Sequence, residues 1–248
     1  MFKAKLENID LLRDSIATIA EFIDETVLHI KEKGVEMVAA DRAVVVVVDF
    51  SLHRGVFSEY EFDSERKIGI NLQNLLQILR RAAPNDVMTM QLEGSRFHIT
   101  FQGDSVRHFV LPLIDISRDE TPPLDKLEFS AALKISSDIL SSGIEDAELI
   151  TDSVVFTVRK DMLTLKAESD ASLAQMEVPS GSDFLKIIDV GEPVRARYSL
   201  DYLKKIAKAK KLATEANISM GTDYPMKIEF DVPGKIRLGF VLAPRVEE

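Results

Sequence analysis

Ile70-Asn71-Leu72-Gln73-Asn74-Leu75-Leu76-Gln77-Ile78 and Tyr198-Ser199-Leu200-Asp201-Tyr202-Leu203-Lys204-Lys205-Ile206 share one pattern at an offset of 128 residues. Each places an Asn or Ser before leucines and an isoleucine at helical spacing, which is how an amphipathic helix begins. Moving outward, the match continues in order. Phe2-x-Ala4-x-Leu6 meets Phe129-x-Ala131-x-Leu133 and Ala40-Asp41 meets Ala167-Glu168, both at 127. Phe97-x-Ile99-x-Phe101 meets Met226-x-Ile228-x-Phe230 at 129, and Phe109-Val110-Leu111 meets Phe240-Val241-Leu242 at 131. Offsets that drift slowly and never reverse indicate two copies of one unit with small loop insertions.

Within the first copy, Phe2–Leu6 alternates as a strand, and Leu12, Ile16, Ile19 and Ile23 fall at helical spacing. Strand patterns follow at Thr26–Lys31, Val35–Ala40, Ala43–Phe50, Phe57–Phe62, Val87–Leu92, Phe97–Phe101 and Val106–Leu113. A second helix is expected over Asn71–Ala82, ended before Pro84. The fold class is α+β, two similar domains, each of many strands and two helices. The seam between copies, residues 115–128, holds Ser117-Arg118-Asp119-Glu120-Thr121-Pro122-Pro123, charged and proline-rich as connectors are. The expected division is 1–114, connector 115–128, and 129–248.

Composition limits the function. Hydrophobic residues at 46% and charged residues at 29% belong to a folded chain. The absence of cysteine removes disulfides, thiolate nucleophiles and cysteine metal sites. The longest apolar run, Ala43–Val48, is too short to span a membrane and reads as a buried strand. Met1 leads straight into a strand pattern with no leader, so an intracellular protein is expected. No His-x-x-x-His pair, phosphate-cradling glycine loop or Gly-x-Ser-x-Gly elbow occurs, and His29, His53, His98 and His108 stand singly. Neither an enzyme nor a bound cofactor or metal is expected.

The net charge of −10 opposes bulk attraction to nucleic acid, so any such contact needs a local basic patch. One is present. A helix over Leu200–Leu212 places Tyr202, Leu203, Ile206, Ala207 and Ala209 on one side and Lys204, Lys205, Lys208 and Lys211 on the other, with Lys210 nearby. The equivalent first-copy helix buries Leu72, Leu75, Ile78 and Leu79 and turns out Gln73, Gln77 and Arg80, with Arg81 flanking. Such a face suits non-specific phosphate contact, and it equally suits plain solvation; the residues alone leave both open.

Gly34-Val35-Glu36-Met37-Val38-Ala39-Ala40-Asp41-Arg42, Ile70-Asn71-Leu72 and the tail Leu242-Ala243-Pro244-Arg245-Val246-Glu247 together resemble the proliferating cell nuclear antigen family of sliding clamps. The resemblance runs from Phe2 to Glu248. It implies three subunits, identical or mixed, closed head to tail around double-stranded DNA. It further implies partners carrying a short clamp-binding peptide, among them clamp loader, DNA polymerase, flap endonuclease and DNA ligase, and no membrane. By family position, Arg13, Arg80, Arg81, Lys204, Lys205, Lys208, Lys210 and Lys211 would face DNA. Ala40, Val44, Ile116, Pro225, Val241, Ala243 and Pro244 would line the partner-peptide pocket. Arg107, His108, Asp146, Gln175 and Glu177 would lie at subunit interfaces, along edges Ser105–Leu111 and Ser172–Pro179, with Arg81 or Arg107 pairing with Asp146 across them. The first helices depart from a uniformly basic lining, since Asp10, Asp14, Glu21, Asp138 and Glu145 point outward and only Arg13 offsets them. Two further readings stay open: a duplicated peptide-binding scaffold with no DNA role, and an enzyme with an unrecognised carboxylate site.

Overall fold

The structure is a computed structural model and describes residues 2–116 and 124–246. Ser117–Pro123 of the expected connector and Glu247 of the tail lie outside the described residues.

The strands of the first copy are β1 (Phe2–Leu6), β2 (Glu25–Lys31), β3 (Gly34–Ala40), β4 (Val46–His53), β5 (Glu59–Phe62), β6 (Arg66–Asn71), β7 (Val87–Glu93), β8 (Arg96–Gln102) and β9 (Val106–Pro112). Its helices are α1 (Asp10–Ile19), after β1, and α2 (Leu72–Leu79), after β6. The second copy repeats this order with β10 (Ala131–Ser136), α3 (Ser137–Glu148), β11 (Ser153–Val158), β12 (Met162–Glu168), β13 (Leu173–Pro179), β14 (Leu185–Val190), β15 (Val194–Ser199), α4 (Leu200–Ala207), β16 (Glu215–Met220), β17 (Met226–Val232) and β18 (Ile236–Leu242).

Two compact units result: Met1–Arg42 with Val48–Pro122 and Val232–Leu238, and Ala43–Val47 with Pro123–Asp231 and Gly239–Glu248. In unit 1 the strand orders are β5-β1-β7-β8-β9 and β4-β3-β2-β6; in unit 2 they are β14-β10-β16-β17-β18 and β13-β12-β11-β15. Adding nine to each strand number of unit 1 yields unit 2, so the sequence repeat is also a repeat of topology. Each unit takes in a short piece of the other copy's chain. In unit 1 the His53 amide donates to Lys235 O at 2.8 Å and Arg237 pairs with Asp49; in unit 2 the Ala243 amide donates to Val45 O at 2.9 Å.

Alternation sets which face of each strand is buried. Phe2, Ala4 and Leu6 of β1, and Phe97, Ile99 and Phe101 of β8, point inward. In unit 2, α3 and α4 lie side by side across the sheets through Leu140, Ile144, Leu203 and Ile206. The buried hydroxyls of α1 turn back on their own helix, Ser15 donating to Leu11 O and Thr18 to Asp14 O, which removes their desolvation cost.

Several boundaries differ from expectation. The strand expected over Ala43–Phe50 begins at Val46, because Ala43–Val45 forms a bend in which Val44 takes φ +55° and is 68% exposed. Strand β6 was not among the expected strands, and it takes in Asn71, where the expected helix began. Asn71 stays extended and accepts from the Asn74 amide at 2.9 Å, so the helix starts at Leu72. That helix ends at Leu79 rather than Ala82, and α1 ends at Ile19 while Ile23 is buried beyond it.

Tyr198 is fully buried, and its hydroxyl donates to Tyr224 O at 2.7 Å. Burial pushes that hydroxyl's pKa upward, so it remains a donor. Tyr198→Phe leaves the Tyr224 carbonyl unsatisfied and is expected to lower stability by about 1–3 kcal/mol in urea unfolding, with little change in the slope m.

Candidate nucleic-acid interface and peptide pocket

The apolar side chains Leu200, Leu203, Ile206 and Ala207 seat α4, and their burial forces the lysines outward. The segment is not one helix to Leu212. It is α-helical to Ala207 and continues as a 3-10 turn over Lys208–Lys211. Like charges one turn apart repel, and the tighter turn at a helix C-terminus, where cations are favoured, keeps Ala209 and Leu212 buried. Lys208, Lys210 and Lys211 are exposed; Lys204 and Lys205 are half-buried.

Neighbouring carboxylates hold part of this charge. Lys204 Nζ lies 2.5 Å from Glu148 Oε1 on α3, and that hydrogen bond raises the lysine pKa above its ordinary value. Lys210 Nζ lies 3.7 Å from Asp138 and 4.0 Å from Glu145, and contacts Ser141 Oγ at 3.2 Å. Lys205 sits over the Tyr202 ring at 5.9 Å. In unit 1, Arg13 bonds both Asp10, at 2.8 Å, and Asp14, at 3.3 Å. The acidic first helices therefore tether cations on their own units rather than standing apart from them. Arg80 and Arg81 are exposed just past α2.

The expected pocket residues fall in two groups. In unit 1, Ala40 and Ile116 line a recess together with Phe22, Ile23, Asp24, Glu25 and Arg42. Ile114, two residues before Ile116, bonds across to Gly69 of β6, where an added Cβ would meet Ile114 O at 2.1 Å. In unit 2, Val44 projects from its bend next to Val45, the acceptor for Ala243. Val241 is buried, and Pro225, Ala243 and Pro244 are half-buried. The tail is then pinned by the Arg245 amide on Arg197 O at 2.7 Å and by Arg245 Nη1 on Asp152 at 2.7 Å. Phe22, Asp24, Glu25 and Arg42 were missed by sequence reasoning, as was the Arg245–Asp152 anchor. The only signal in the sequence was that Asp24 and Asp152 stand at the helix offset of 128.

At the expected edges, β9 and β13 each end their strand order. Both alternate exposed and half-buried residues up to one buried position, Leu111 in β9 and Val178 in β13. Arg107 pairs with the buried Asp86 and donates to Arg81 O at 2.7 Å, so its guanidinium is engaged inside its own unit. Bonding from the Ala83 amide first, and then from Arg107, holds the Asp86 pKa low. His108 Nδ1 is 3.0 Å from Thr100 Oγ1, Gln175 donates to Glu177 at 2.7 Å, and Asp146 is exposed on α3. Among the described residues no cluster of His, Asp or Glu could hold a metal ion, and no helix is long and apolar enough to cross a membrane.

Residues 1–120 match the N-terminal domain of proliferating cell nuclear antigen, and residues 123–245 match its C-terminal domain. The chain belongs to the proliferating cell nuclear antigen family. Relatives within it include the DNA polymerase sliding clamp of Thermococcus gammatolerans, 35% identical over 95% of this chain and 94% of that protein. The DNA polymerase sliding clamp of Pyrococcus abyssi is 32% identical over 100% of this chain and 99% of its own. A crystal structure of PCNA from Thermococcus kodakaraensis superposes with a TM-score of 0.91 at 27% identity, covering 99% of this chain and 100% of that one. Proliferating cell nuclear antigen folds thus account for the duplicated topology from end to end.

The tail anchor responds to pH. The hydrogen bond from Arg245 depresses the Asp152 pKa. A folded-state pKa below the unfolded value means the anchor is fully present above the ordinary carboxylate range, near ~3.9, and is lost as pH falls through the depressed value. Deuterium exchange of the Arg245 amide is expected to be constant from pH 6 to 8 after correction for intrinsic rates, and to accelerate on Asp152→Asn.

Proposed function

We propose that this chain is a sliding-clamp subunit: three copies close into a ring, the second helices of each unit face duplex DNA, and the outer surface tethers replication and repair proteins through short peptides. The observation that carries the DNA role is the lysine-bearing end of α4, five lysines within Lys204–Lys211, on a chain of net charge −10. A confined basic strip contacts phosphates without reading bases, and enclosure supplies the retention that weak contact cannot.

Ring closure is supported by the sheet ends. Strands β9 and β13 occupy the places in the topological repeat held by β18 and β4, the strands bonded through His53 to Lys235 and Ala243 to Val45. An edge of unpaired peptide groups invites a further strand, so β9 of one subunit is suited to β13 of the next. His108, Gln175 and Glu177 lie on those strands and Asp146 on α3 beside β13. Residues 115–128 are the connector, and Ile114 just before it is held on Gly69 beside the unit 1 recess that Ala40 and Ile116 line. Val44, Pro225, Val241, Ala243 and Pro244 of unit 2 are the other residues that the family resemblance assigns to peptide contact. The pocket suits an apolar peptide segment of the clamp loader, DNA polymerase, flap endonuclease or DNA ligase. The protein acts inside the cell, without catalysis of its own.

Light scattering is expected to give three times 27.7 kDa for the chain alone; a persistent monomer would require related partner subunits instead. Because Glu148 and Asp138 tether lysines, Glu148→Gln and Asp138→Asn are expected to strengthen DNA contact. Lys208→Gln with Lys211→Gln should flatten the slope of log affinity against log salt by roughly one unit per lysine per contacting subunit. Unchanged slopes in the lysine variant would remove the helix from the DNA surface. Gly69→Ala should displace Ile114 and weaken capture of a clamp-binding peptide by about tenfold while leaving DNA contact intact, read by calorimetry.

A further inference from the structure

The basic segment that follows the second helix is held differently in the two units. In unit 2, Ala209 and Leu212 are buried among Lys208, Lys210 and Lys211, so apolar anchors fix the segment. In unit 1 none of residues 80–85 is buried, yet Arg80 and Arg81 stand there at the end of α2. A buried carboxylate just beyond takes over the anchoring. Asp86 accepts from the Ala83 amide at 2.6 Å, and its own amide donates to Ala83 O at 3.0 Å. Arg107 of β9 pairs with that carboxylate, lies 5.4 Å from the centre of the Phe101 ring and donates through Nη1 to Arg81 O at 2.7 Å. Its guanidinium thus joins both ends of the turn that runs from Arg81 to Asp86.

The fold does not require an ion pair at this place. Ala4 faces Met90 in unit 1 and Ala131 faces Met220 in unit 2, so counting back four residues from each methionine sets Asp86 at the position of Ala216. The match of Phe109-Val110-Leu111 to Phe240-Val241-Leu242 sets Arg107 at the position of Leu238. Ala216 and Leu238 are fully buried, so unit 2 completes the same topology with an apolar pair. Burying charges instead costs desolvation, and Arg107 Nε is buried with no acceptor among the described residues. Stability is a poor reason for that exchange. What the ion pair adds, and an apolar pair cannot, is a hold on the backbone of Arg81 and Ala83.

We propose that Arg107 is a positioning residue for DNA contact: together with Asp86 it fixes the turn from which Arg80 and Arg81 meet phosphates. Arg107 acts through that backbone and not on a phosphate itself. The inference rests on the reading that the second helices face DNA. A cation on a loose turn gives up backbone and rotamer freedom when it meets a phosphate, whereas on a tied turn the backbone part is already lost. Gly103, between β8 and β9, completes the arrangement. A Cβ there would lie 2.5 Å from Asp86 Oδ1, so the carboxylate has room only beside glycine.

The test gives unit 1 the apolar pair of unit 2 in the full-length protein. Asp86→Ala/Arg107→Leu removes one charge of each sign, so the net charge is unchanged. Deuterium exchange at residues 81–86 is expected to quicken, and the urea midpoint is not expected to fall. Affinity for a fluorescein-labelled thirty-base-pair duplex, read by anisotropy at low salt, is expected to drop about threefold. In the Arg80→Gln/Arg81→Gln background the same double change should weaken binding no further, a result that a general loss of structure does not produce. Gly103→Ala, which displaces the carboxylate and removes no charge, should reproduce the exchange and DNA results. Unchanged exchange or affinity, equal weakening with and without Arg80 and Arg81, or a urea midpoint that falls with the affinity would overturn the proposal. If Arg80→Gln/Arg81→Gln alone leaves DNA affinity unchanged, the DNA-facing reading of α2 fails first and this inference falls with it.

Discussion

Burial of one apolar strip on α4 is the interaction from which the rest of the surface chemistry follows. Leu200, Leu203, Ile206, Ala207, Ala209 and Leu212 are all removed from water, and the segment tightens from α-helix to 3-10 turn at Lys208. With those side chains fixed inward, no rotation of the helix can hide the lysines, and they must meet solvent, carboxylates or a polyanion. α3, packed alongside, supplies Asp138, Glu145 and Glu148 to some of them. The result is a basic strip whose charge is held in reserve. Exposed pairs of this kind contribute little to stability, about 0–1 kcal/mol each, so exchanging a carboxylate for a phosphate is inexpensive and reversible. That is the property a protein needs if it is to move along DNA without stopping.

Most of the fold was legible because the duplication is written in periodic apolar positions, and these survive divergence. Phe2-x-Ala4-x-Leu6 forms β1, its repeat forms β10 from Ala131 onward, and the Leu72 and Leu200 helices both form. The misread features have local physical causes. Strand β6 goes unassigned because Gly69 interrupts its short alternation of Ile68 and Ile70, and the Asn71 cap that separates it from α2 acts through a side-chain oxygen. The run Ala43–Val48 reads as an unbroken strand from hydrophobicity and β-branching, yet Val44 turns into the left-handed region. Such a conformation is strained for valine and recurs at ligand-contacting sites.

The candidate site was legible by residue type and far less by arrangement. Which residues are lysine or arginine is plain from the sequence; which carboxylate holds each of them depends on two helices lying side by side. Arg107 illustrates this. The family resemblance places it on an edge strand, but the buried Asp86, 21 positions away, determines where its guanidinium points. Divergence between copies carries as much information as their likeness. Gly69 and Arg197 occupy one repeat position and one backbone role, their carbonyls accepting from the Ile114 and Arg245 amides.

Topological enclosure is the central claim, and affinity alone does not test it. Purified protein loaded onto nicked circular duplex DNA by a clamp loader should remain with the DNA through gel filtration at high salt, and should be lost once a restriction enzyme linearises the circle. Equal loss from circular and linear DNA under those conditions, or equal retention on both, would contradict a closed ring.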